Sequence, residues 1–390
     1  MKHGWTSAAL GDVAEIVSGA TPKTGVPDFW DGKIPWATPK DLSDLHGATI
    51  ASTPRTITQS GLRSCAATVL PIGSVLFSSR APIGHVAINS VPMATNQGFK
   101  SLVPREGVLD AKYLYHWLRA NRQKLESLGN GATFKEVSKA VVSRVELPLP
   151  PIEEQRHIAA ILDHVADLTG SSRAAIDSLD VAVDAVFNAM FGQEEWPEST
   201  LDDLSLIAGE YGANVPSAEY KRPLPRYIRI TDIAADGRLN GEWRAPGGPA
   251  EKWSRYRLEV GDMLFARSGA TVGKTYEHRD ASLDAVFAGY LIRFRPDPAR
   301  LDATFLNGFT RTAVYRTWVA SRQNVVAQPN INARQYGRDL PIPTPPIARQ
   351  REYARVVVQF DGARNTLQRR LSETVRLGMA LQQRAFSGRL

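Results

Sequence analysis

From Ile158 onward, apolar residues recur at alternating steps of four and three. The series runs Ile158, Leu162 and Val165, then, past Thr169 and Ser172, Ile176, Leu179, Val183, Val186 and Met190. This spacing is the a/d seam of a paired helix. The series follows Pro150 and Pro151. Proline suits a first helical turn, because its ring fixes φ and its missing N–H would have no partner there anyway. The pattern predicts a helix over 152–191. Moved on by 195 residues it returns as Tyr353, Val357, Phe360, Leu367, Leu371, Leu381 and Ala385, after Pro345 and Pro346. Arg364, Thr374 and Gly378 interrupt this second seam, which predicts a helix over 347–390.

The rest of the chain repeats at nearly the same offset. "GSVLFSSRAPIG" (73–84) matches "GDMLFARSGATVG" (261–273), and "AKYLYHWLRA" (111–120) matches "ATFLNGFTRT" (303–312). Trp5 with "LGDV" (10–13) matches Trp196 with "LDDL" (201–204). A period this long means a duplicated domain, not a solenoid. Each copy reads as short strands punctuated by Gly and Pro, with period-2 alternation in "SVLF" and "DMLF". One short helix follows, around 110–127 and 302–320, then a loop and the proline junction. The expected class is α+β. Two similar mixed α/β lobes, 1–151 and 192–346, are joined and spaced by two long antiparallel coiled-coil helices, 152–191 and 347–390.

Charge sharpens this picture. The chain carries a net +7, yet the first long helix has two arginines against seven acids. The second has nine arginines against three acids. An acidic and a basic heptad helix should prefer each other to themselves. Forty residues at 1.5 Å each make a spacer of ~60 Å at most. Two lobes related by a pseudo-two-fold suit a ligand of the same symmetry, such as duplex DNA read at two half-sites. The single cysteine, Cys65, excludes an intrachain disulfide and points to a reducing compartment. No apolar run reaches the ~18 residues of a membrane span, and Asp12 and Glu15 interrupt any secretory segment. The expected location is the cytoplasm.

Several segments then resemble a known family. "GATFKEVSKAVVSRVELPLPPIEEQRHIAAIL" (131–162), "IPWATPKDL" (34–42), "FSSRAPIGHVAIN" (77–89) and "NQGFKSLVP" (96–104) are similar to the recognition domain and helix of type I restriction-modification specificity subunits. The second half is less similar. Arg349 stands where the family has an acid, and "VFAGYLIRFRP" (286–296) replaces the "NQGF" pattern. The resemblance implies a subunit with no catalysis of its own. Each recognition domain would read one half of a bipartite site in double-stranded DNA. The helices would set the spacer and dock two modification (adenine methyltransferase) subunits, and restriction subunits would complete the nuclease.

DNA contact needs Arg, Lys, Ser, Thr, Asn or Gln on loops. In the first lobe these are Lys40, Ser78, Ser79, Arg80, Asn130, Thr133 and Lys135. In the second they are Arg229, Thr231, Arg267, Ser268, Lys274, Asn330, Asn332 and Arg334. Arg80 and Arg267 are expected to be equivalent, each closing an "LF" strand. Trp30, Trp36, Trp243 and Trp253 are expected to pack within the lobes. No catalytic, cofactor or metal site is expected. Neither Pro-Pro pair follows Asn or Asp, as a methyltransferase motif requires, and Asp28, Asp31 and Lys33 lack the spacing of a nuclease site. His157 and His164 read as solvated. Two rivals stay open: a two-lobed protein adaptor that binds no DNA, and the specificity half of a fused enzyme.

Overall fold

The computed structural model describes residues 4–45, 47–80, 82–130, 135–323 and 330–390. They form two compact units, Met1–Arg173 with Arg370–Leu390, and Ala174–Arg369. Both long helices pass through both units.

The first unit is built on five strands: β1 (Ala14–Ser18), β2 (Thr49–Ile50), β3 (Val75–Phe77), β4 (Val86–Asn89) and β5 (Lys100–Pro104). Their spatial order is β1-β5-β3-β4-β2, antiparallel except for β2 along β4. The alternation in "VLF" has a direct meaning. Val75 and Phe77 face one core with Tyr113, Leu114 and Trp117, while Leu76 faces another with Ala87 and Phe99. The strand is buried on both sides.

The second unit repeats the plan with four strands: β6 (Ser205–Tyr211), β7 (Met263–Ala266), β8 (Thr275–Glu277) and β9 (Leu291–Pro296), in the order β6-β9-β7-β8. Met263 and Phe265 join one core, and Leu264 and Ala266 another. A short parallel pair accompanies each sheet, Trp36 beside Ala94 and Tyr227 beside Val286.

Two expectations change. The segment before each proline junction is a strand, not a loop: Glu146–Leu149 pairs with Thr6–Ala9, and Pro341–Pro343 with Glu198–Thr200. Each expected short helix is two helices. Ala111–Ala120 stops where the Asn121 side chain donates to Trp117 O at 2.9 Å, and Arg122–Ser127 follows. Ala303–Phe309 stops where the Thr310 and Thr312 hydroxyls donate to Asn307 O and Phe309 O, both at 2.8 Å, and Ala313–Gln323 follows. Such back-bonding competes with the helical ladder.

The long helices are Ile152–Phe191 and Ile347–Phe386. The second ends four residues early. Gly388 takes φ 69°, and Arg389 N–H closes onto Arg384 O at 2.9 Å, a Schellman-type stop. In the first unit, Ile158, Ala159 and Leu162 share a core with Ala385, and Leu381 and Phe386 pack on it. In the second, Phe187 and Phe191 meet Tyr353 at ring-centroid distances of 5.3 and 5.9 Å. Start therefore meets end in each unit, so the helices run antiparallel. Ile158, Leu162 and Val357 are buried; Val165, Ile176, Leu179, Val183, Val186, Phe360, Leu367, Leu371 and Leu381 are half-buried.

The two interruptions of the second seam fit their surroundings. A Cβ on Gly378 would stand 2.9 Å from Val165 Cγ1, so the glycine makes room for the valine. Arg364 is buried and ion-pairs with Asp180 of the first helix. Three acids of the first helix, Asp163, Asp180 and Asp184, however, hold lobe side chains. Asp163 takes Lys112 and His116, both at 2.7 Å, and Asp184 takes Arg311 at 2.7 Å. Glu153 pairs with its own helix neighbour Arg156, and Arg349 with Glu194 beyond the helix. Charge complementarity docks lobes on helices more than it pairs helix with helix.

Candidate nucleic-acid interface

Above both sheets one backbone frame recurs, and it positions the candidate residues. Gly19 follows β1 and Gly212 follows β6. A Cβ on Gly19 would collide with the carbonyls of Thr95 and Asn96, and one on Gly212 with those of Phe287 and Ala288. The close backbone approach explains glycine at both places.

Hydrogen bonds fix the correspondence between lobes. Ser79 N–H donates to Gly98 O at 2.7 Å, as Arg267 N–H does to Tyr290 O at 3.1 Å. Val137 N–H donates to Ser79 O, as Ile331 N–H does to Arg267 O, both at 2.9 Å. Arg267 is thus the counterpart of Ser79, and Ser268 that of Arg80. The expected equivalence of Arg80 and Arg267 is one residue out, and one residue along extended backbone is the opposite face.

In the first lobe, Ser78 and Ser79 are fully buried. The Ser78 hydroxyl donates to Pro82 O at 2.7 Å and accepts His85 N–H at 2.8 Å; the Ser79 hydroxyl donates to Gly98 O at 3.1 Å. Both shape the loop and offer nothing to a ligand, which corrects their expected role. Arg80 lies 3.8 Å from Glu136, which also binds Lys100 at 3.2 Å. Asn130 is exposed and exchanges two backbone bonds with Glu136, so Arg80 and Asn130 come together through that residue. Lys135 is exposed beside them. Thr133 lies outside the described residues. Lys40 is exposed on the helix Pro39–Ser43, whose Pro39 borders Gly98, so it flanks the same loop.

In the second lobe, Arg229, Thr231 and Arg267 line one cavity of about 640 Å³. Arg229 is less free than expected: its guanidinium grips Asp232 at 2.6 and 3.0 Å, and that bond raises its pKa. Thr231 is exposed. Lys274 Nζ donates to Ile233 O at 3.0 Å, bracing the loop from within. Asn332 and Gln335 cap each other's N–H groups at 2.9 Å. Ser268 bridges to Asn330 through backbone, and Asn330 and Arg334 are exposed.

Three residues were missed from sequence. Arg55 is exposed, and its guanidinium carbon sits over Trp30, 3.7 Å from the ring centroid. Tyr211 and Tyr290 stand at the rim of the second-lobe cavity, 39% and 61% exposed. None has a sequence signal, because stacking of distant residues has no local pattern. Trp30, Trp36 and Trp253 are buried, while Trp243 is 42% exposed under Arg226. Among the described residues no group of three or more His, Cys, Asp or Glu could hold a metal ion, and His157 and His164 are exposed. No described helix is long and apolar enough to cross a membrane.

Comparison with known proteins agrees with this architecture. Residues 2–179 match the type I restriction modification DNA specificity domain. The MjaIX specificity subunit of Methanocaldococcus jannaschii is 35% identical over 189 residues, 48% of this chain and 44% of that protein. The chain thus spans under half of that relative's length. The EcoDI specificity subunit of Escherichia coli is 22% identical over 84% of this chain and 82% of its own. Among solved structures, the type I restriction-modification S subunit of M. genitalium superposes with a TM-score of 0.58 at 14% identity, over 98% of this chain and 96% of that one. The duplicated frame, the paired long helices and these matches point the same way: residues 2–179 match the type I restriction modification DNA specificity domain, and the chain is similar in sequence and fold to specificity subunits of type I restriction-modification systems.

Proposed function

We propose that each lobe reads one half of a bipartite site in duplex DNA, and that the long helices set the gap between the halves. The carrying observation is a repeated backbone frame whose residues differ at matched positions around the loops. Ser79 and Gly98 in one lobe stand where Arg267 and Tyr290 stand in the other. A protein that reads two different words with one scaffold should vary at such places and keep the rest. Basic side chains around the loops supply the phosphate attraction that positions a duplex.

The long helices also present apolar side chains to solvent: Leu168 is 46% exposed, Val181 70%, Val358 63%, Leu377 54% and Met379 59%. Exposed apolar surface of this kind marks protein contact. On this reading the helices dock two adenine methyltransferase subunits, restriction subunits join that core, and the assembly works in the cytoplasm. The chain supplies recognition and spacing, and its partners supply the chemistry.

Duplex binding by the assembled methyltransferase, measured against salt, tests the reading. Log Kd should rise with log salt, with a slope set by the number of phosphate contacts. A slope near zero favours the protein-adaptor alternative.

A further inference from the structure

We propose that Arg267 reads a guanine in the half-site of the second lobe, with Tyr211 as its positioning residue. The inference rests on the DNA-reading function above and adds the base and the residue.

Arg267 lines the second-lobe cavity and is not ion-paired with any carboxylate among the described residues. Its guanidinium carbon stands 4.8 Å from the centroid of the Tyr211 ring. Its Nε donates to Asn330 Oδ1 at 3.4 Å. The ring is itself anchored, since the Tyr211 hydroxyl accepts Ala333 N–H at 3.1 Å. The guanidinium lies against the ring, and its Nε edge is tethered. The terminal Nη1 and Nη2 groups donate to no acceptor among the described residues. A flat, tethered fork with two free parallel donors fits guanine O6 and N7, the commonest bidentate base contact in the major groove.

Neighbouring arginines do not meet this description. Arg229 is committed to Asp232, and Arg293 to Glu210 and Asp262. The first lobe cannot copy the device, because the counterpart of Arg267 is the buried Ser79 and β1 ends at Ser18 where β6 ends at Tyr211. Pre-ordering also matters energetically. An arginine already held between a ring and an amide oxygen loses less rotamer freedom when it binds.

The test uses the assembled methyltransferase and duplexes built on its methylated motif. Each guanine of the second-lobe half-site is replaced in turn by 7-deazaguanine, which lacks the N7 acceptor. One replacement should weaken wild-type binding by roughly 5- to 150-fold, the range of a good bidentate contact. R267A removes every donor and should bind both duplexes alike. Y211L should show an intermediate loss of discrimination with Arg267 still in place. Thermal melting of each complex checks that it is folded, and first-lobe replacements act as controls. Full discrimination by R267A, or no sensitive guanine in that half-site, overturns the assignment. Absence of preference for any duplex overturns the DNA-reading function itself.

Discussion

Gln155 accepts the backbone N–H of Asp110 on its side-chain oxygen at 2.9 Å, while its amide donates to Val108 O and Pro150 O, both at 2.9 Å. Asp110 is the N-cap of the helix Ala111–Ala120, so the first turn of the long helix is tied to the first turn of a lobe helix. Gln350 repeats this with Asp302 N–H at 2.8 Å, Arg300 O at 3.3 Å and Pro345 O at 2.8 Å. Both glutamines are fully buried. They follow the shared "PPI" in "PPIEEQ" and "PPIARQ", and they make each junction a fixed joint.

Replacing Gln155 by Leu leaves a buried N–H and two carbonyls without partners. The expected loss is about 2–4 kcal/mol. Gln350→Leu should cost a similar amount, and hydrogen exchange should place each loss in its own unit. Equal protection of Asp110 N–H in wild type and Gln155→Leu would contradict the role.

Asp180 holds Arg364 across the seam and also takes Arg238 of the lobe at 2.8 Å. Removing one partner of a buried pair is costly, while replacing the pair by apolar groups need not be. Asp180 is partly exposed, so the discounted loss for Asp180→Asn is about 2 kcal/mol. Arg364→Leu should be near neutral, because it restores an apolar seam and leaves Asp180 with Arg238. Urea unfolding of the two variants checks the sign. Equal losses would mean the pair itself stabilises the seam.

Gly378 looks like a defect in the heptad that a larger residue would repair. With Val165 2.9 Å from the position of a Cβ, overpacking should win instead. Gly378→Leu is expected to lose about 1–3 kcal/mol despite better helix propensity. A raised melting temperature for that variant would show that the helices can move apart freely.

Acid should weaken the first unit in two windows. Burial lowers the His116 pKa below the ordinary imidazole value of 6.5, against the opposing bond from Asp163. The folded chain therefore binds that proton less readily than the unfolded chain. Stability is full above about 6.5 and falls as pH drops through the lowered folded value. Burial alone would raise Asp163, but bonds from Lys112 and His116 outweigh it and lower its pKa below 3.8. Its contribution holds above 3.8 and is lost as pH falls through the lowered folded value. His116→Gln keeps a donor for Asp163 and should flatten the first window only. Melting temperature against pH, for both proteins, reads this directly.

The large features were legible in sequence for a physical reason. The long helices announced themselves through Ile158, Leu162 and Val165 at heptad spacing, and the duplication through whole matched segments. Strand alternation in "VLF" and "MLF" was equally local. Interface detail was not. Ser78 and Ser79 look like ligand groups by type, but loop closure consumes their hydroxyls. Arg229 looks free until Asp232, three residues on, folds back against it. Arg267 gained meaning only when Tyr211 and Asn330 met it from distant segments.

The most direct test of the central claim is methylome sequencing of a host that carries this chain with its modification subunits. The account predicts one methylated motif made of two words separated by a fixed gap. A four-residue insertion after Ala174 in the first long helix should keep both words and change the gap. A single continuous word, or an unchanged gap with full modification in the insertion variant, would contradict it.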